Sequence, residues 1–249
     1  LSVDEAVPIY IIRRIIFSQR RSSVLLVLIL VIATILRVWG IDFGLPHPGV
    51  RHDDQLYISI AMRFATGDFN PHFFDYPTLY FYILFFLFTA YYVAGSIWGR
   101  FATVAIFVQE FATQPTNFYL ISRLLSATAG VATVWMVYSI ARELFNRRVA
   151  LLSSLLLSTA YLHVRESHFG KIDTLATFFI MAAFYFILQL LKNGAWRLSI
   201  FAGLFSGIAS GTKQIGFLLI LPLGLAHLLN NHLQSKQRYL FSALITLGL

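Results

Sequence analysis

Apolar positions in this chain come in long unbroken runs separated by short polar turns. The first run, S-V-L-L-V-L-I-L-V-I-A-T-I-L-R-V-W, covers residues 23–39 and carries a single charge, Arg37, near its end. Further runs occupy residues 118–140, 149–162, 174–191, 198–210 and 215–229, and a last one opens near Tyr239. A helix needs about 20 apolar residues to cross a ~30 Å hydrocarbon core, and several of these runs reach or approach that length. The pattern predicts an all-α, polytopic transmembrane helix bundle forming one domain over residues 1–249.

One stretch stays open. T-L-Y-F-Y-I-L-F-F-L-F-T-A-Y-Y-V-A-G-S-I-W (78–98) is long enough to span, but the return through 101–111 would be short for a crossing. Alternatively both segments lie along the membrane interface, where dense Phe, Tyr and Trp suit the headgroup level. Either reading crosses an even number of times, so the later topology is unchanged.

The turns between runs alternate in character. Arg13, Arg14, Arg20 and Arg21 precede the first run, and the turns A-R-E-L-F-N-R-R, K-N-G-A-W-R and N-N-H-L-Q-S-K-Q-R are basic. The excess of Lys and Arg places these, and the amino terminus, in the cytoplasm. The other set (residues 42–75, H-V-R-E-S-H-F-G-K-I-D and G-T-K-Q) is mixed or acidic and is expected outside. No small-residue cleavage site follows the first run, which therefore reads as an anchor.

Composition agrees. The chain is 58% hydrophobic and 12% charged, against roughly a quarter charged in soluble domains. Its net charge of +8 lies in the basic turns, so topology explains it and no nucleic-acid partner is expected. With no cysteine, disulfides and thiolate metal sites are excluded. The chain starts at Leu1 and stops at Leu249 inside an apolar run, which predicts a carboxyl-truncated fragment.

Ionisable residues against membrane-embedded helices are costly and usually functional. The outer segments collect Arg51, His52, Asp53, Asp54, Asp75, Arg123, Arg165, Glu166, His168, Lys171, Asp173 and Lys213. In G-V-R-H-D-D-Q-L-Y-I-S-I-A-M-R-F, an Asp before the helical pattern is an ordinary N-cap. Capping needs one carboxylate, and two neighbours repel, which points to a general base beside a capping or acceptor-binding partner. The helix that follows (55–66) has Leu56, Ile60 and Phe64 four apart and reads as amphipathic, lying on the membrane surface.

In N-P-H-F-F-D-Y-P-T-L, two prolines fix a turn, and Asp75 with His72 offers two ligands for a divalent metal but no third. No other cofactor is indicated. Arg123 falls one to two turns inside a span and either snorkels or meets a phosphate or carboxylate. Asp173 opens an apolar helix and is either its N-cap or part of the site. Arg165 and Lys171 beside it are candidate anion ligands, Glu166 and His168 read as loop residues, and Lys213 stands between two spans.

The segments L-R-V-W-G-I-D-F-G-L-P-H, D-D, G-D-F-N-P-H-F-F-D-Y-P-T-L-Y, the arginine of F-Y-L-I-S-R-L-L-S-A, L-H-V-R-E-S-H-F-G-K-I-D and G-T-K-Q follow one another in order. Together they resemble the lipid-linked glycosyltransferases of the GT-C type, closest to family 39, the dolichyl-phosphate-mannose protein mannosyltransferases and their bacterial relatives. The resemblance covers residues 36 to about 229. The family's Asp-Glu pair corresponds to Asp53-Asp54, with Asp53 inheriting the role of general base and Asp54 one methylene shorter than the family's Glu. Arg123 corresponds to a family arginine expected on the lipid phosphate, and Asp173 to an acid opening the next external helix. Membrane-surface helices in the first external loop (41–117) are also implied.

The implied activity is an inverting transfer of a sugar from a polyprenyl-phosphate donor to a hydroxyl of a protein, lipid or glycan acceptor, at the external face. Asp53, Asp54 and Asp173 form the catalytic set. Arg123, Lys213, Arg165 and Tyr76 form the set for lipid phosphate and sugar, among membrane lipids. The competing class is a transporter or flippase of lipid-linked or acidic substrates. Such proteins place charges near the bilayer midplane, whereas these fall at span ends on one side.

Overall fold

The computed structural model describes residues 9–47 and 52–229, and the side chains of 23–47 and 53–229. Arg51, the His52 side chain and the run near Tyr239 lie outside the described residues. Among those described, helices α1 (Ile9–Val38), α2 (His52–Arg63), α3 (Leu79–Ile97), α4 (Val104–Thr113), α5 (Thr116–Leu144), α6 (Arg147–Thr159), α7 (Tyr161–Glu166), α8 (Ile172–Asn193), α9 (Trp196–Thr212) and α10 (Ile220–Leu229) follow in order, with no strand. The all-α expectation holds. By length and apolarity α3, α5 and α8 suffice to cross a membrane, and the chain is a multi-pass integral membrane protein.

Helix α5 is the central post. α1 and α6 pack on it and on each other, α8 packs on it as well, and α9 and α10 pack on α8. Small residues make the close approaches. Ser199, Ala202, Gly203, Ser206, Ala209 and Ser210 recur every three or four residues along the buried face of α9. Without a hydrophobic drive between helices in lipid, such residues let backbones meet and gain dispersion contact. The outer face of α1 keeps Val24, Val27, Leu28, Val31 and Ile35 exposed, as a lipid-facing helix does.

The run at 149–162 does not form one helix. α6 stops at Thr159 and a short α7 begins at Tyr161. Arg37, wholly buried at the end of α1, donates to the carbonyls of Leu157 (3.4 Å) and Ser158 (3.1 Å). Those belong to the last turn of α6, where helical carbonyls run out of N–H partners; Leu157 O also accepts the Ala160 N–H at 3.3 Å. A cation there satisfies them and complements the helix dipole.

One expectation about the first external loop changes. The apolar residues of α2 do not sit on one stripe: Tyr57, Ile58, Ile60, Ala61 and Met62 are all buried, as is Phe64 in the 3-10 turn that follows. α2 is thus a core element against α3 and α5, not a one-faced surface helix. α3 is long enough to span, yet its hydrogen bonds and ring contacts with α5 fall on Asn117, Phe118 and Ser122. Those residues lie in the first two turns of α5. At ten residues α4 measures about 15 Å, too short to return across a bilayer.

Glu110 of α4 pins this arrangement. It accepts from Tyr91 (2.8 Å), Asn117 (3.1 Å) and Arg100 (3.1 Å), joining α3, α4 and α5 beside the Phe88, Phe101, Phe107 and Phe118 rings.

Candidate active site

Helix α2 begins at His52, so Asp53 and Asp54 stand inside its first turn instead of at the N-cap. Their side chains diverge. Asp54 is fully buried, with Oδ2 3.3 Å from Arg123 Nε. Arg123 is 2% exposed, and its other hydrogen bonds, both 2.8 Å, go to the carbonyls of Ile41 and Phe43 in the turn after α1. This pair locks α2 and that turn onto α5. Asp53 points the other way, 46% exposed, with Oδ2 2.8 Å from Lys171 Nζ.

Lys171 is the N-cap residue of α8. Its ammonium also lies 3.7 Å from Glu166, whose carboxylate takes Arg165 at 2.5 and 2.9 Å. Asp173, the second residue of α8, pairs with Lys213, the residue between α9 and the following 3-10 turn. Gln214 donates to the Asp75 carbonyl (2.7 Å), tying that turn to the first external loop. Tyr76 stacks edge-on to Tyr57 at 6.4 Å. Four carboxylates (Asp53, Asp54, Glu166, Asp173) and four cations (Arg123, Arg165, Lys171, Lys213), far apart in sequence, thus meet in one linked cluster.

Gly170 makes the meeting possible. A Cβ there would overlap the Ser122 hydroxyl of α5, so only glycine lets the α7–α8 loop press this close to Arg123 and Asp54. Burial pushes the Asp54 carboxyl above its ordinary range, against the opposing pull of Arg123 and the nearby Gly170 N–H. Its Oδ1 is buried without a hydrogen-bond partner. Burial works to lower the Lys171 ammonium, but Asp53 and Glu166 outweigh it and raise the group overall. Beside the cluster lies a cavity of about 360 Å³, lined by Ala160, Leu162, His163, Glu166, Asp173, Thr174 and Thr177.

Several expected roles need correction. Of the two partners expected for Arg123, phosphate or carboxylate, the structure shows the carboxylate, Asp54, together with two carbonyls. Asp75 engages through its carbonyl, and His72 Nε2 pairs with Asp68 at 2.8 Å instead. Among the described residues no group of three or more His, Asp or Glu side chains gathers as a metal site. Asp173 is no N-cap, since Lys171 holds that position. Glu166 proves more central than its reading as a loop residue allowed, and Lys171, read as an anion ligand, meets the carboxylates of Asp53 and Glu166. Arg37 and His163 were given no role, although an arginine inside an apolar run calls for a named partner.

Residues 104–249, more than half of the chain, match the dolichyl-phosphate-mannose-protein mannosyltransferase family. The chain belongs to that family. The mannosyltransferase family is one of GT-C glycosyltransferases, and its fold agrees with a solved structure, that of the S. cerevisiae protein O-mannosyltransferase Pmt1-Pmt2 complex bound to the sugar donor. The TM-score is 0.61 at 22% identity, over 92% of this chain and 32% of that one. This family member therefore spans about a third of the solved chain's length. No curated protein matches it.

Proposed function

We propose that the protein transfers a hexosyl group from a polyprenyl-phosphate donor to an acceptor hydroxyl on the external face of the membrane, with inversion. Family membership supports mannose on dolichyl phosphate, or a bacterial equivalent, as the donor. The observation that carries the reading is the split of the paired acids: Asp54 is sealed against Arg123, while Asp53 is left 46% exposed beside Lys171.

Asp53 takes the proton of the acceptor hydroxyl as its oxygen attacks the anomeric carbon. The bond from that carbon to the phosphate oxygen breaks with its electron pair staying on phosphate. Charge grows on the leaving group, and groups that meet it more strongly in the transition state than in the ground state lower the barrier. Lys213 and Arg165, both partly exposed at the cluster, are placed for that. Arg123 acts through Asp54, positioning α2. The basic turns at the opposite helix ends support the external orientation of the site.

The test is transfer from a panel of radiolabelled polyprenyl-phosphate sugars by the full-length protein in membranes. Transfer that disappears in Asp53→Asn at unchanged expression is the expected result. Vectorial uptake of substrate into proteoliposomes without any glycosylated product overturns the reading in favour of a transporter.

A further inference from the structure

We propose that Lys171 is an exchangeable counter-ion: held by Asp53 before the donor arrives, it moves to the donor phosphate, and this exchange frees the Asp53 carboxylate to take the acceptor proton. The inference rests on the transfer reading above and assigns to Lys171 a role distinct from that of the other cations.

The four cations of the cluster differ in how firmly they are held. Arg123 is 2% exposed, and turning it outward would strand buried Asp54 together with the carbonyls of Ile41 and Phe43. Arg165 grips Glu166 through two nitrogens. Lys213 is paired with Asp173. Lys171 alone among these four is shared, 2.8 Å from Asp53 and 3.7 Å from Glu166. An ammonium is a compact charge with three donors on a flexible stem. It can therefore keep Glu166 and exchange Asp53 for a phosphate oxygen by a small swing. Asp53 is 46% exposed, so water or an acceptor hydroxyl takes the place that Lys171 leaves, and the exchange costs little.

Charge makes the exchange directional. The named carboxylates and cations balance, so an arriving phosphate is a surplus anion, and Lys171, the one of the four that can release a carboxylate and still keep another, moves to meet it. During the displacement the acceptor oxygen–carbon bond forms and the carbon–oxygen bond to phosphate breaks. The electron pair stays on phosphate, and the acceptor proton goes to Asp53. The new negative charge then appears beside Lys171 as Asp53, now neutral, ceases to compete for it. Asp54, Glu166, Asp173 and Tyr57 also lie within electrostatic reach of Asp53 or Lys171.

The experiment measures binding, separately from turnover. The full-length protein in nanodiscs is titrated with a short-chain polyprenyl monophosphate, with the free polyprenyl alcohol as control. Asp53→Asn abolishes transfer by the reading above, yet it releases Lys171, so it is expected to bind the monophosphate about three- to fivefold tighter than wild type, the scale of a half-exposed ion pair. Adding Lys171→Met to that variant loses the gain and more, whereas Lys171→Arg keeps it and shows that the site is intact. Affinity in Asp53→Asn equal to or weaker than wild type, with wild type transferring sugar, overturns the exchange alone. A wild-type protein that neither transfers nor binds the monophosphate overturns the underlying reading as well.

Discussion

Arg37 Nη2 and His163 Nδ1 meet at 2.9 Å behind the cavity, joining the end of α1 to α7. A guanidinium only donates, so His163 Nδ1 carries the lone pair and the ring proton sits on Nε2. The guanidinium therefore fixes the tautomer of a histidine that lines the cavity. The same guanidinium holds the last carbonyls of α6.

Burial first, and the Arg37 charge second, lower the His163 ring from its ordinary value of 6.5 to about 4. Above pH 6.5 the ring is neutral in folded and unfolded protein alike, and its contribution to stability is full. As pH falls from 6.5 towards 4 the unfolded state takes up a proton that the folded state refuses. Stability is then lost, by at most about 3 kcal/mol for this group. Thermal unfolding in detergent at stepped pH is expected to fall more steeply for wild type than for His163→Gln across that window. Parallel curves for the two proteins would remove the link.

Removing the guanidinium has a separate consequence. Arg37→Met takes the guanidinium donor from the Ser158 carbonyl, at about 1–3 kcal/mol, while Leu157 O keeps only the Ala160 N–H at 3.3 Å. The junction of α6 and α7 is expected to open. Protease accessibility and hydrogen exchange at residues 157–163 are the measurements, and wild-type protection in the variant would show that α6 ends there for another reason.

Gly170 offers a test of close approach. Gly170→Ala places a methyl on the Ser122 hydroxyl and is expected to cost about 1–3 kcal/mol, the usual range for overpacking. It also displaces Lys171 from Asp53. Ser122→Ala in the same protein makes room, and the double variant is expected to recover part of the stability and of the sugar transfer. Additive losses in the double-mutant cycle would show that the two sites do not touch in solution.

The bundle was legible because length and apolarity are properties of single runs: 118–140 and 174–191 lie inside α5 and α8. The break after Thr159 was not, since it depends on Arg37, more than a hundred residues away. α2 misled because the Leu56, Ile60 and Phe64 spacing is amphipathic on its own, while Tyr57, Ile58 and Ala61 are also apolar and only α3 and α5 decide that they are buried. The chemical types gathered at the site were readable from the outer segments. Their pairings were not: which carboxylate takes Arg123 and which takes Lys171 follows from the two directions that adjacent residues take from one helical turn.

That divergence yields the sharpest contrast between neighbours. Asp54→Asn leaves the Arg123 charge buried without its counter-ion, and breaking a buried pair in this way costs about 3–5 kcal/mol. The variant is expected to melt earlier and to lose transfer together with its fold. Asp53→Asn removes the half-exposed member of a pair whose lysine keeps Glu166, worth about 1 kcal/mol or less. Its unfolding temperature is expected to stay near wild type while transfer falls by about 10²–10⁴-fold, the range for losing a general base. Unfolding temperature and transfer rate measured on the same preparations separate the two residues. The opposite result, a stable but inactive Asp54→Asn beside an active Asp53→Asn, would move the base to the buried acid and require a path for the acceptor that passes Arg123.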